Sequence, residues 1–288
     1  MKTKLTKLTT TGFMILLISG LISGCSAGNT VVRFSPVSQP VAQNVIPATT
    51  EIRDYQGALR AIAVAVEKEL DITVSSVELT LYPNAYEFER GLVKDAGFEA
   101  GFARETARFA WGVGGPGKIL VNEAAMQRAG WPERIRFLAH EFVHTIYAPL
   151  ANGREIGSEQ WLQEGFADWV SYRVLERLGY DSLERRKSAN MMQARFILGG
   201  ESPTIADLLT FDEWVRMRVK YGASATYSQA FLATDYLIRK HGIQSVVKYF
   251  RLYGESGDRL RNFRESFVSD FAAFNQEFAS YMRSLMVS

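Results

Sequence analysis

"LAHEFVHTIY", residues Leu138–Tyr147, holds two of only three histidines in a chain of 288 residues, four positions apart, with Glu141 directly after the first. Upstream, Pro132 suits the first turn of a helix, and Pro149 is expected just beyond its end. On such a helix Ile135, Leu138, Ala139, Phe142 and Ile146 line up as one apolar stripe. His140 and His144, one turn apart, then project together from the other side. Two imidazoles in this relation reach a single ion at about 2.0 to 2.1 Å each. Glu141 is turned by about 100° from His140, so its carboxylate misses the ion and reaches a water beside it. H-E-x-x-H is the pattern of a zinc site in which two side chains hold the metal and the glutamate takes a proton.

Such a site needs a third ligand. "SEQWLQEGFADWVSYRVLERLG", residues 158–179, begins fourteen residues after His144 and reads as a second helix with Ser158 as its N-cap. Leu162, Phe166, Trp169, Val170 and Val174 form its apolar stripe. Glu164 and Asp168, again four apart, share a different face with Trp161, Tyr172 and Leu175. Two carboxylates set among aromatic residues require partners or a cation, because an isolated buried charge is costly.

Together the two segments resemble the gluzincins, zinc metallopeptidases of the peptidase MA-like group, which combine H-E-x-x-H with a downstream glutamate followed four residues later by an aspartate. The resemblance covers Ile135 to Tyr172, with Gln163 where the group commonly has asparagine. It implies that His140, His144 and Glu164 bind Zn2+, that Glu141 is the general base, and that Asp168 accepts a hydrogen bond from a ligand histidine and fixes its tautomer. It also implies that Tyr227, 63 residues after Glu164 in "ATYSQAFLATDYLIRKHG", stabilises the oxyanion of a peptide or protein substrate. The fold it implies is α+β and thermolysin-like. A small mixed sheet with an edge strand is followed by the active-site helix and a mainly helical C-terminal part. Lys118–Asn122 is then the expected edge strand, pairing with extended substrate. The G-x-M-E-N signature of aminopeptidase gluzincins is missing; Asn122-Glu123 is all that is left of it, and nothing in the sequence captures a free amino group. The rival expectation is a scaffold of this fold that binds a protein or glycan without turnover.

The remaining sequence frames this core. Residues 1–24 have a basic start, an apolar run from Phe13 to Ile22 and then Ser23-Gly24 before Cys25, which resembles the signal peptide and lipobox of a bacterial lipoprotein. Cys25 is therefore expected to carry lipid. The protein would then be anchored to a membrane of the cell envelope, facing the periplasm or exterior, and Ser26 favours the outer membrane where one exists. Residues 25–50, rich in Ser, Thr, Pro and Gln, read as a flexible tether, and 51–288 as the folded domain. Cys25 is the only cysteine, which excludes disulfides, thiolate ligands and an internal cysteine nucleophile. The formal charge of +2 becomes −1 once Lys2, Lys4 and Lys7 leave with the signal, a balance that gives no reason to expect nucleic acid. "GVGGPGKI", Gly112–Ile119, falls short of a phosphate-binding loop because Ile119 stands where a hydroxyl is needed and a strand pattern follows. His241 before Gly242 reads as a helix-ending residue that complements the dipole.

Overall fold

Alternation of Val77, Leu79 and Leu81 produces a strand that the rest of the sheet is built around. The computed structural model describes residues 14–17, 28–36, 52–157, 159–198 and 203–287. Among the described residues the strands are β1 (Met14–Leu17), β2 (Thr30–Phe34), β3 (Val77–Tyr82), β4 (Ala110–Gly115) and β5 (Lys118–Asn122). Strands β2 to β5 form the body of a mixed sheet in which β3 runs parallel to β5 and the other pairs are antiparallel. The short β1 lies antiparallel along the outer side of β4. The Gly-rich stretch is a tight hairpin: Gly115 pairs with Lys118 across Pro116-Gly117, and Gly117 takes a φ of 68°, which an L side chain adopts only with strain.

Two expectations need correcting. Lys118–Asn122 is an interior strand, flanked by β4 and β3, and the strand next to the sheet's margin is β4. The physical reason is legible afterwards: Ile119, Leu120 and Val121 are all buried, so "KILV" has no polar face to give to solvent, and an unbroken apolar run marks a strand covered on both sides. The stretch expected as a tether also contributes a strand, because Thr30–Phe34 pairs with β3 from Thr30↔Leu81 to Phe34↔Val77. Val32 and Phe34 turn inward while Val31 and Arg33 face out, and Phe34 sets its ring against Phe142 at 6.4 Å. Five residues of alternation were hidden by polar neighbours. Residues 1–13, 18–27 and 37–51 lie outside the described part, so the stretch expected as a signal peptide, apart from the backbone of β1, and Cys25 are not placed.

The two faces of the sheet are covered differently. Tyr82, Val113 and Leu120 pack against Phe88 and Leu92 of α2 (Ala85–Ala96) and Ala103 and Ala107 of α3 (Ala100–Phe109). Leu79, Leu81, Ile119 and Val121 face the main core with α1 (Tyr55–Leu70), where Leu59, Ile62, Val66 and Leu70 are fully buried as their spacing predicts. Asp54 caps α1 by accepting from the Gly57 amide at 2.6 Å.

After the one-turn α4 (Glu123–Met126), the elements among the described residues are helices: α5 (Trp131–Leu150), α6 (Gln160–Arg177), α7 (Leu183–Leu198), α8 (Phe211–Tyr221), α9 (Ala223–His241), α10 (Ile243–Leu252), α11 (Arg259–Phe267) and α12 (Phe271–Val287). The architecture is α+β. Helix α5 contains Pro149 in its last turn instead of ending before it, since a proline there forfeits only one intrahelical bond. Between Ile135 and Tyr147 every residue of α5 is buried, so the face opposite its apolar stripe is not a solvent face: α6 covers it. Among the described residues no helix is long and apolar enough to cross a membrane.

Candidate metal centre

The side chains singled out by spacing meet where α5 crosses α6. Helix α6 is itself buried from Gln160 to Tyr172, held between α5 on one side and α9 on the other. Contact with α9 is as close as backbones allow: a Cβ added to Gly165 would lie 2.2 Å from the Ala230 carbonyl oxygen and 2.3 Å from Thr234 Oγ1. The start of α6 is fixed by Glu159, which takes a left-handed φ of 57°. It is wholly buried, accepts a hydrogen bond from Trp161 Nε1 and pairs with Arg259 of α11. Ser158, expected as the cap, lies outside the described residues.

His140, His144 and Glu164 are brought together, each offering one donor atom within 4.8 Å of the others, and all three are buried. His140 Nε2 stands 3.2 Å from Glu164 Oε2, and His144 Nε2 is 3.9 Å from the same oxygen. Donors held tetrahedrally at the zinc distances of about 2.0 to 2.1 Å are roughly 3.3 to 3.4 Å apart, so these side chains need only small rotations to hold such an ion. Asp168 Oδ1 lies 2.8 Å from His140 Nδ1, on the side of the ring away from Glu164. A proton donated there leaves Nε2 as the nitrogen with a lone pair for a metal. Arg136, one turn before His140, is buried with Nη1 3.8 Å from the same Asp168 oxygen and donates from Nε to Glu133 at 2.7 Å. It was missed in the sequence, although its place four residues before His140 on the same face was the available signal.

Whether the residues suit a metal can be judged from their unmet bonding. Both ring nitrogens of His144 are buried without a hydrogen-bond partner, and both Glu141 carboxylate oxygens are buried with no side-chain partner, the Gly114 backbone being the group that favours their charge. Buried polar atoms are nearly always paired, and two orphaned ring nitrogens near a buried carboxylate with no side-chain partner fit a site whose partners are an ion and the molecules around it. Two imidazoles and a carboxylate are the donor set of a three-ligand zinc site.

Electrostatics follow from the same crowding. Burial works against charge on His140, but the Asp168 carboxylate, its hydrogen bond and Glu164 outweigh it and push the imidazole up to about 10. His144 is driven well below its ordinary range by burial and by its charged neighbour. Burial pushes Glu141 up to about 8, with His140 opposing and Glu164 adding to the shift. Burial also raises Glu164, against the pull of His140.

Tyr227, near the start of α9, is placed at the cluster with its ring 6.1 Å from His140 and 5.0 Å from Trp214. Burial, then the Glu164 charge, keep its hydroxyl a neutral donor far beyond neutral pH. A cleft of about 270 Å3 opens beside it, lined by Arg136, Asp168, Tyr172, Arg186 and Tyr227 among others. His241 closes α9 with its ring on Phe267 and takes no part in the cluster. Gly114 of β4, also unforeseen, lies against the site helix so closely that a Cβ would sit 2.3 Å from the Glu141 carbonyl oxygen. No family model, curated protein or solved structure matches this chain.

Proposed function

We propose that this chain is a zinc-dependent peptidase of the gluzincin kind, cleaving peptide bonds in the bacterial cell envelope, where lipid on Cys25 anchors it. The observation that carries the reading is the convergence of His140, His144 and Glu164 beside a buried Glu141 carboxylate that no side chain partners. A bound zinc ion supplies Lewis acidity and an acidified water. The chain supplies the rest. Asp168 holds the His140 proton on Nδ1, so that the ring presents Nε2. Glu141, a carboxyl shifted towards neutral pH, is suited both to take a proton from the attacking water and to return it to the leaving amine. Tyr227 keeps its proton and donates a hydrogen bond to the oxygen on which negative charge develops. Once the leader, β1 included, has been removed, the outer side of β4 offers free backbone groups to an extended substrate.

The test is hydrolysis of a diverse peptide library by the mature chain, with metal content measured in parallel. Activity should vanish with a chelator and return with zinc. Glu141→Gln should keep the metal and lose at least a hundredfold in rate, the scale of a general acid–base contribution. Full activity in that variant would refute its role, and a zinc-replete parent without turnover on any peptide would favour the noncatalytic scaffold.

A further inference from the structure

Beside the cluster stands a cation that the mechanism above does not use. Arg218, in the last turn of α8, holds its guanidinium 5.7 Å above the Tyr227 ring, which itself lies 6.1 Å from the His140 ring. Its charge is close enough to favour the ionised forms of both Glu164 and Tyr227, against the burial that raises both. Each of those two steps is about the length of two residues of extended peptide, so a substrate held at the ligand cluster spans the distance. The residue is half-buried, and two of its nitrogens, Nε and Nη2, are withdrawn from solvent without a hydrogen-bond partner. These two form the side edge of the guanidinium plane, whose parallel N–H bonds match the two oxygens of a carboxylate. A desolvated guanidinium fork without an acceptor is costly, and the aromatic face beneath it compensates only part of that cost. Those two nitrogens share this state with the ring nitrogens of His144 in the cluster beside them.

We propose that Arg218 binds a carboxylate of the substrate, so that the site favours peptides with an acid group a few residues from the scissile bond. The acid is either the C-terminal carboxylate or an Asp or Glu side chain. A neutral carbonyl would occupy only one arm of the fork; a carboxylate occupies both. This rests on the peptidase reading of the site, and the experiment separates the two.

The mature chain, loaded with cobalt(II), is titrated with three thiol ligands while the visible absorption of the metal is followed. They are mercaptoacetyl-Ala-Ala with a free C-terminus, its C-terminal amide, and mercaptoacetyl-Glu-Ala amide, in which the side chain is the sole acid. The thiolate reports on the metal in all three; the carboxylate reports on Arg218. At least one acid should bind about ten times more tightly than the neutral amide. Which acid does so identifies the source. Arg218→Lys, which keeps the charge felt by Glu164 but removes the fork, should bring that acid close to the amide, with cobalt content and amide affinity unchanged. Equal binding of all three by the parent would overturn the proposal, as would an acid preference that survives Arg218→Lys. A uniform loss for all three ligands together with cobalt would show that Arg218 merely supports the cluster. If the protein takes up no cobalt, the metal reading itself fails.

Discussion

His140 is the residue at which structure and chemistry are most tightly joined, because Asp168 and Glu164 sit on its opposite ring nitrogens. With its pKa raised to about 10, the imidazole holds both protons at neutral pH when no metal is bound. That proton stabilises the fold fully below about pH 6.5 and ceases to do so as pH rises through about 10, since a raised folded-state value favours the protonated form. A metal must displace it from Nε2. Zinc affinity should therefore increase with pH by up to about tenfold per unit between pH 7 and 9, with a proton released on binding. Titrations in weak buffer at several pH values measure both, and an affinity independent of pH would show that no such proton is held. Asp168→Asn removes the charge that orients the ring and leaves Arg136 beside a neutral group; metal affinity should fall about 10- to 100-fold. This part of the site was legible because four-residue spacing on a helix is a local property, and because Glu164 and Asp168 were conspicuous as acids among aromatics. Arg218 was not legible: its relation to Glu164 exists only after α8 and α9 fold against α6.

Helices α5, α6 and α9 meet through residues that the sequence pattern undervalues. An apolar stripe predicts one buried face, whereas α6 has neighbours all round, and its carboxylates are buried by packing rather than displayed to solvent. Gly165 makes that packing possible, and a glycine inside a helix looks from sequence alone like a weakness. Gly165→Ala should destabilise the protein by about 1 to 3 kcal/mol, because the added methyl meets the α9 backbone, which cannot move aside as a flexible side chain would. Since Gly165 follows Glu164 directly, metal affinity should fall with it. Gly157→Ala, at a position with nothing within 4 Å, is the control and should change stability by less than about 0.5 kcal/mol. Urea denaturation of both variants decides the matter; equal midpoints would mean that α6 and α9 can separate freely. Helices α2 and α3 were also missed in the sequence. Their charged faces obscured the few apolar residues, Phe88, Leu92, Ala103 and Ala107, that cover the second face of the sheet.

Across the whole molecule, the N-terminal strand shows how a boundary drawn from composition can cut through a fold. A Ser-, Thr- and Pro-rich stretch after a cysteine expected to carry lipid has the makeup of a tether, and the apolar periodicity that marks a folded domain resumes only near Glu51. Strand β2 nonetheless completes one side of the sheet, with Arg33 donating to Glu78 at 3.0 Å and Phe34 packed on Phe142. Phe142 follows Glu141 on the site helix, so the strand braces the back of the candidate centre. A chain beginning at residue 51 would leave the outer hydrogen-bonding edge of β3 open and uncover the apolar surface now under Val32 and Phe34. Half-burial of those two side chains, with the cross-strand pairs, contributes on the order of 2 kcal/mol. Residues 51–288 should therefore unfold at lower urea than residues 26–288, and should bind zinc more weakly because the brace behind Glu141 is gone. Phe34→Ala in the longer chain should reproduce part of both losses. Identical unfolding of the two lengths would return the segment to the role of a spacer, with β3 stable as an edge in its own right.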